Sequence, residues 1–169
     1  MKTTRMTMAH RVLAAGLVVG LLGAAAPAPE HYTAYLGPTP INDATKPRIR
    51  GRATATITVT GPQLAITGAF SGLAGPATTA ELRLGGGVGI PGPSIAPLKV
   101  SAATSGELSG QISLDAAQLK ALRQGRLYVQ IDSQTAPDGN LWGWVLSPAI
   151  ALPGTTPPTP NPDSPARSE

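Results

Sequence analysis

Two acidic residues, Glu81 and Asp132, lie in segments whose alternating pattern predicts neighbouring strands. A pair of carboxylates at a suitable separation is the arrangement that glycoside hydrolases use for general acid and base catalysis. Arg83 follows Glu81 by two residues and shares its strand face, where a guanidinium keeps a carboxylate ionised. An ionised carboxylate is a poor general acid, so we predict no catalytic residue and no enzyme activity. A hydrolase with unidentified acid residues is one alternative.

Residues that commonly hold metal ions are scarce. The chain has no cysteine and 2 histidines, and His10 lies in a segment that we expect to be removed. His31 alone cannot supply a zinc or copper site of the usual ligands, and a Ser–His–acid triad would have to use it. Asp132, Asp138 and Asn140 lack EF-hand spacing, so a plain Asp-Gly turn is favoured over an adventitious calcium site. We predict no metal site and no cofactor; the alternative is a divergent metal-binding or redox protein with oxygen ligands.

The segment Gly87–Gly92 matches the G-x-G-x-x-G pattern of dinucleotide-binding loops. Such a loop must open a helix whose N–H groups face the pyrophosphate. Pro91, Pro93 and Pro97 exclude that helix. We therefore interpret the match as accidental.

Four basic residues, Lys46, Arg48, Arg50 and Arg52, recur at every second position. On a strand this spacing would place all of them on one face. The favoured interpretation is a solvated edge strand that positive charge protects from pairing with other chains. The alternative is a binding site for an anionic wall polymer.

Alternation of apolar and polar residues predicts short strands along most of the chain after an irregular segment at 31–50. The predicted strands are 53–60, 64–70, 79–84, 94–101, 106–113, 127–132 and 141–145, the last two joined by a polar loop at 136–140. One helix is predicted at 115–124, beginning at Asp115 and ending before Gly125. The abundance of glycine and proline, 20 and 18 residues, argues against a helical bundle. We predict an all-β fold, a β-sandwich or open barrel with one short helix.

Residues 1–25 have the features of a secretory signal peptide: Lys2, Arg5 and Arg11 precede an apolar run and small residues. The run is about 15 residues, short of the roughly 20 that a spanning helix needs, so an uncleaved anchor is less favoured. Without these three residues the 13 Lys and Arg fall to 10 against 9 Asp and Glu, which gives no support for nucleic-acid binding. We expect a secreted, periplasmic or cell-envelope protein without a membrane span after cleavage.

The rest of the chain divides into a domain and a tail. Residues 26–152 are predicted to form one domain. Its hydrophobic core must stabilise it without disulfides, because the chain has no cysteine. Residues 153–169 are rich in proline and nearly free of apolar side chains, which predicts an extended, mobile tail. The tail is interpreted either as a spacer at the cell envelope or as a solubilising end.

Two distant blocks of the sequence resemble the chordin (CHRD) domain, a module of animal chordins and of many exported bacterial proteins. The family's first block is similar to A-H-I-H-G-x-x-G-x-x-x-x-G-P, and its second to L-x-x-G-x-L-Y-V-N-V-H-T, a Pro-Gly loop and G-E-I-R-G. The matching residues are Ala80–Arg83, Gly87, Gly92, Pro93 and Leu98 for the first block, Leu122–Ser133, Pro137 and Gly139–Gly143 for the second, and Phe70–Leu73 for a strand-ending F-S-G-L. The resemblance spans about residues 31–150 and implies an immunoglobulin-like β-sandwich or barrel.

The departures from the family pattern fall on its polar positions. Glu81 and Arg83 replace the two histidines of the first block, Asp132 replaces the histidine of the second, and Trp142 replaces an arginine. If the family's histidines bind a metal or a substrate, this chain lacks those imidazole ligands at the matching positions. We hypothesise a structural ion cluster in which Arg83 bridges the two carboxylates, with Trp142 or Trp144 shielding one side.

The sequence as a whole therefore predicts an exported, non-catalytic binding or structural module of the cell envelope or extracellular space. We expect its partner to be an extracellular protein or an envelope polymer.

Overall fold

A computed structural model describes residues 27–148. The predicted signal peptide and the predicted tail lie outside the described residues. Within them the elements, in chain order, are β1 (Glu30–Pro38), β2 (Arg52–Thr60), β3 (Gln63–Ser71), β4 (Ala77–Leu84), β5 (Ser94–Val100), β6 (Gly106–Ser113), α1 (Ala116–Arg123), β7 (Leu127–Ser133) and β8 (Ala136–Trp144). No helix in this part of the chain is long and apolar enough to cross a membrane.

The strands close into one antiparallel barrel in the order β1-β2-β3-β6-β5-β4-β7-β8, with β8 paired again to β1. Strands β3 to β6 form a Greek key, because β3 lies beside β6 and not beside β4. The prediction of an all-β fold with a short helix is confirmed. The sheet is nevertheless a closed barrel, and not an open barrel or an immunoglobulin-like sandwich.

Two short seams produce this closure. β1 joins β8 through the pairs Gly37↔Trp142 and Pro38↔Leu141, and β5 joins β6 through a stretch of the same length. Alternation of buried and exposed residues along each strand is expected in two packed sheets as well as in one barrel, so the sequence pattern does not distinguish them. The few long-range backbone hydrogen bonds at the seams close the barrel and leave no open sheet edge.

The barrel interior is occupied by apolar side chains from every strand. In β2 the predicted alternation is confirmed, because Ala53, Ala55, Ile57 and Val59 are buried between threonines. Large side chains that are less than 2% exposed include Ile57, Leu64, Ile66, Leu82, Leu108, Ile131 and Leu141. Each such burial contributes roughly 1.5–3 kcal/mol, so this core is the main source of stability.

The first strand contradicts the prediction of irregular structure for residues 31–38, whereas residues 39–50 lie in a loop as predicted. Tyr32, Ala34 and Leu36 are buried and alternate with more exposed residues, and β1 pairs with β2 from Glu30↔Val59 onward. The period-two signal is present in the sequence. Proline at 38 and beyond affects only the residues that follow β1, since Pro38 stands at its end.

The predicted basic edge strand is wrong. Lys46 lies in a turn segment in which the Asn42 carbonyl accepts its N–H at 2.9 Å, and the Asn42 side chain accepts the Thr45 N–H at 3.0 Å. Asparagine favours such local turns over strands, and Pro47 cannot donate to a strand ladder. Of the four basic residues only Arg52 belongs to a strand, and the others lie in the β1–β2 loop (39–51).

The connection between β7 and β8 is shorter than the polar loop predicted at 136–140. Ser133 pairs with Ala136, so β8 begins there. The Ser133 hydroxyl accepts the Ala136 N–H at 3.2 Å and donates to the Asn140 side chain at 3.0 Å. The pairing register shifts at Ser133, and sheets tolerate proline near such bulges, which explains Pro137 inside β8.

Helix α1 confirms the predicted helix to within one residue at each end. Asp115 accepts the Gln118 N–H at 2.8 Å, and the Gln118 side chain accepts the Asp115 N–H at 3.0 Å, which forms a capping box. Ala121 and Leu122 are buried in the core, and Gly125, at φ 68°, follows the last turn. The helix therefore packs on the barrel and leads into β7.

An exposed ion pair joins the start of β1 to α1. Arg123 donates to both Glu30 oxygens, at 2.6 and 3.2 Å, and the Tyr32 hydroxyl donates to the same carboxylate at 2.6 Å. The hydrogen bonds from Arg123 and Tyr32 lower the pKa of Glu30 from 4.5 to about 2. Burial and the bond to Glu30 raise the pKa of Tyr32 to about 12.

We expect Glu30→Gln to reduce the loss of stability on acidification. Because its pKa is lowered on folding, Glu30 stabilises the fold above pH 4.5, and this contribution disappears as the pH falls towards about 2. The effect is small, since water screens both partners. Unfolding curves at several pH values, with the exposed Glu107→Gln as control, measure it. Equal acid sensitivity of Glu30→Gln and wild type would contradict the linkage.

Candidate functional site on the outer face of the barrel

The predicted polar positions all lie on the outer face of β4, β7 and β8, which are neighbours in the barrel. The register aligns three rows across this face: Arg83–Tyr128–Trp144, Glu81–Gln130–Trp142 and Thr79–Asp132. Inward-pointing residues alternate with these and belong to the core. The fold therefore brings Glu81 and Arg83 together on β4, places Trp142 two strands away in the row of Glu81, and places Asp132 towards one end of the face.

Arg83 is half-buried and has three kinds of partner. Its Nη1 lies 2.7 Å from Glu81 Oε2, and its Nε donates to the Tyr128 hydroxyl at 3.0 Å and to the Gly92 carbonyl at 3.1 Å. Burial alone would lower the pKa of Arg83, but the hydrogen bond to Tyr128 and the ion pair with Glu81 raise it. Arg83 is therefore a charged structural element of the face.

Asp132 lies outside this ion pair. Its carboxylate accepts from the Thr79 hydroxyl at 2.6 Å and from Gln130 Nε2 at 2.8 Å. The register explains why, because Asp132 is opposite Thr79, whereas Glu81 is opposite Gln130. The hypothesis that Arg83 bridges two carboxylates is thus correct for Glu81 and wrong for Asp132.

The stability losses of Arg83→Met and Asp132→Asn are expected to add. Arg83 faces Tyr128, and Asp132 lies four residues further along β7, roughly 13 Å at about 3.3 Å per residue. Thermal unfolding of both single variants and the double variant should give a coupling below about 0.5 kcal/mol. Arg83→Met with Glu81→Gln is the positive control, because their charged atoms are 2.7 Å apart. A larger Arg83–Asp132 coupling would restore the three-residue cluster.

Tyr128, Trp142 and Trp144 form an outer aromatic cluster. The Tyr128 ring stacks on Trp144 with centroids 5.0 Å apart and meets Trp142 edge-on at 6.3 Å, while the two indoles are 4.8 Å apart. Tyr128 is fully buried although it points outward, and both tryptophans are half-buried. The outer face of β7 is therefore covered, whereas alternation alone predicts that only its inner face is apolar.

The β4–β5 loop (85–93) supplies part of this cover. The Tyr128 hydroxyl donates to the Gly92 carbonyl at 3.0 Å and accepts the Gly92 N–H at 3.1 Å. Trp144 Nε1 donates to the Gly87 carbonyl at 3.0 Å. A side chain at Gly92 would collide with the Leu84 carbonyl oxygen, so this approach requires glycine. Strand β5 follows this loop, which agrees with rejecting the dinucleotide-binding pattern at 87–92.

A groove of about 430 Å³ lies between the β1–β2 loop and the outer face of β7 and β8. Gln130 from β7, and Trp142 and Asp138 from β8, line the groove on the side of the sheet. Arg48 lines it from the β1–β2 loop and Pro91 from the β4–β5 loop. The volume lies in the range of roughly 300–1,000 Å³ that small-molecule sites occupy. The groove combines an aromatic surface with hydrogen-bonding groups and one charge of each sign.

Hydrogen bonds fasten the β1–β2 loop above this face. The Thr39 hydroxyl donates to the Gly139 carbonyl at 2.9 Å, and the Asn140 amide donates to the Arg50 carbonyl at 2.8 Å. The Thr135 hydroxyl also donates to a carbonyl of the loop, that of Arg48, at 3.1 Å. The loop is therefore held at both ends, and the groove beneath it is preformed.

Gln130 is the most buried polar side chain that lines the groove, with 9% of the residue exposed. Its Nε2 donates to Asp132 at 2.8 Å and lies 3.5 Å from the Asp138 carbonyl. The acidic acceptor Asp132 fixes the orientation of the amide. Both hydrogen bonds of the Gln130 side chain within residues 27–148 use Nε2, and no buried side-chain atom there lacks a partner, so Oε1 keeps contact with solvent.

The residues considered for metal chemistry are dispersed. His31 is exposed on β1, where its Nδ1 lies 3.4 Å from the Thr58 hydroxyl. Asp138 and Asn140 use their carbonyl oxygen and amide, respectively, in contacts with Gln130 and Arg50. Within residues 27–148 no three His, Cys, Asp or Glu side chains are grouped closely enough to hold a metal ion.

Sequence reasoning missed Tyr128, Gln130 and the groove. The sequence did contain one usable signal. Tyr128 and Gln130 share one face of a predicted strand, and the next strand carries Trp142 and Trp144 on one face, so the pattern places aromatic and polar side chains on the same side of the sheet. Nothing local indicated that Arg48 would face this row, since the loop and β8 are about 90 positions apart in the chain.

The comparison with known families agrees with the two blocks found in the sequence. The family model of the CHRD domain matches residues 33–145, more than half of the chain. The match extends from β1 to the end of β8 and includes the outer face described above. No curated protein and no solved structure matches the chain. The chain therefore belongs to the CHRD domain family.

Proposed function

We propose that the protein is an exported, non-catalytic binding module of the cell envelope or extracellular space, and that the outer groove is its binding site. The observation that carries this proposal is the preformed groove. Hydrogen bonds between β8 and the β1–β2 loop keep it open. A site that is already shaped loses little conformational entropy when a partner binds.

The barrel interior offers no comparable support for a ligand. Its largest side chains, such as Ile57, Leu82 and Leu141, are less than 2% exposed and pack against one another. Close-packed interiors of this kind have few voids larger than a water molecule. Binding is therefore assigned to the outer face.

A binding role also fits the acidic residues better than catalysis does. The Glu81 carboxylate is engaged by Arg83, and the Asp132 carboxylate by Thr79 and Gln130. A general acid or base must be free to exchange a proton with a bound substrate. Both carboxylates instead hold neighbouring side chains in place.

Export rests on residues 1–25, whose basic start and apolar run suit a signal peptide. The protein recovered outside the cytoplasm is expected to begin near Ala25 or Ala26. Intact-mass measurement of that material tests the prediction. A mass that still includes Met1 to Ala24 would contradict it.

The binding proposal is tested with the chain that lacks residues 1–25. Insoluble peptidoglycan, chitin and fibrillar collagen are mixed with the protein and sedimented, and the retained fraction is measured. At least one material should retain the protein, and Trp142→Ala should weaken retention about tenfold, as loss of a central aromatic contact does. Tyr35→Ala is the matched control, because Tyr35 is an aromatic residue that is 70% exposed and does not line the groove.

Retention that Trp142→Ala leaves unchanged would move the binding site away from the groove. Absence of retention on all three materials would contradict a role in binding extracellular or envelope polymers.

A further inference from the structure

We infer that the groove binds a neutral saccharide chain, with one sugar ring packed on Trp142 and sugar hydroxyls bonded to Gln130 and the groove walls. This inference rests on the proposed function and specifies the class of ligand.

The floor of the groove supplies a stacking surface beside a fixed acceptor. Trp142 is half-buried and is held edge-on by Tyr128 and Trp144, so its indole cannot turn away without breaking both contacts. Gln130 lies beside Trp142 across the strand pair. A sugar ring presents an apolar C–H face and hydroxyls at its rim, which matches an aromatic surface with a polar group at its edge.

The amide of Gln130 is oriented for this task. Its Nε2 is occupied by Asp132 at 2.8 Å, and burial of all but 9% of the residue restricts other rotamers. The free Oε1 is a strong acceptor that needs a donor when water is displaced. A hydroxyl supplies that donor, whereas a carboxylate or phosphate oxygen does not.

The charges of the groove walls favour a neutral ligand. Arg48 and Asp138 both line the groove, so the walls carry one positive and one negative side chain. An anionic polymer would be attracted by Arg48 but repelled by Asp138. A cationic polymer would be attracted by Asp138 but repelled by Arg48. Hydroxyl groups donate to Asp138 and accept from Arg48, so a neutral sugar satisfies both.

The test uses soluble tetrasaccharides and the chain that lacks residues 1–25. Cellotetraose, maltotetraose and N-acetylchitotetraose are the neutral probes, and tetragalacturonate is the anionic one. The two tryptophans of the chain both belong to the outer aromatic cluster, so their fluorescence reports on the groove. Calorimetry measures the affinity of the variants in which a tryptophan is removed.

At least one neutral probe is expected to bind with saturation and to change the tryptophan emission. Trp142→Ala and Gln130→Met should each weaken binding by about tenfold or more, the effect of losing one good contact. Asp138→Ala changes an exposed side chain and should weaken the same probe even if Gln130→Met does not fold. Tyr35→Ala should bind as wild type does.

Three results would overturn the inference: no neutral probe bound at about 10 mM, where even weak sites begin to fill; binding of tetragalacturonate alone; or binding that Trp142→Ala and Asp138→Ala both leave unchanged. If retention on an insoluble material depends on Trp142 while no neutral tetrasaccharide binds, the proposed function stands and the saccharide assignment fails. If neither assay shows binding, both fail.

Discussion

Replacing Tyr128 with leucine is expected to lower the free energy of unfolding by about 4 kcal/mol, a large part of the 5–15 kcal/mol of a typical domain. The fully buried ring would lose its stacking on Trp144 and its edge contact with Trp142. The Gly92 N–H and Arg83 Nε would also lose the hydroxyl that accepts from them at 3.1 and 3.0 Å. A buried donor without a partner costs about 1–3 kcal/mol.

Tyr128→Phe separates the two contributions. It keeps the ring and removes the hydroxyl, so its expected cost is about 1–3 kcal/mol. Urea denaturation followed by tryptophan fluorescence measures all variants. Tyr35→Leu is the control, since a tyrosine that is 70% exposed should change stability by less than about 0.5 kcal/mol.

A Tyr128→Leu variant within about 1 kcal/mol of wild type would show that the outer aromatic cluster contributes little to stability. If Tyr128→Phe matched wild type while Tyr128→Leu did not, the ring contacts would matter and the hydroxyl bonds to the β4–β5 loop would not.

Gly143→Ala is expected to lower the free energy of unfolding by about 3 kcal/mol, because the added methyl group would overpack the seam between β1 and β8. Its Cβ would collide with the Tyr35 carbonyl oxygen, lie 2.7 Å from the carbonyl carbon, and lie 3.0 Å from Leu36 Cα. These are backbone atoms, so no side-chain rotation can relieve the contact. The strands must move apart between the pairs Gly37↔Trp142 and Pro38↔Leu141 on one side and the Thr33↔Leu146 bridge on the other.

Gly37→Ala is a matched control on the facing strand of the same seam. A Cβ at Gly37 would meet no atom within 4 Å, so this variant should keep wild-type stability. Thermal unfolding should show a decrease of about 10–15 °C for Gly143→Ala. Equal melting temperatures of the two variants would mean that β1 can move away from β8 at little cost, and that the seam does not constrain the barrel.

Local sequence patterns determined most of the secondary structure. The alternation of alanine, isoleucine and valine with threonine in β2 has period two, and Asp115 with Gln118 at a spacing of three makes a capping box. These signals act between residues that are close in the chain, so a sequence displays them directly. The CHRD resemblance likewise depended on glycines and apolar residues that keep their spacing within each block.

Competition between local signals caused the errors. The spacing of Lys46 to Arg52 has the period of a strand, but the Asn42 side chain and the Pro47 ring favour a turn at the same place. Asp132 lies in a strand as predicted, but its side chain bonds Thr79 and not the predicted partner Arg83. A shift of two residues in the register between β4 and β7 exchanges Glu81 for Thr79 as its neighbour.

Only the tertiary structure determined the barrel closure and the groove. Thr39 bonds Gly139 across 100 positions, Asn140 bonds Arg50 across 90, and Thr135 bonds Arg48 across 87. The partners of such bonds are not specified by any local period, because each residue type could bond to many others in the chain. They are selected when packing of the whole core brings β1 beside β8, and this step assembles the aromatic and polar face into a site.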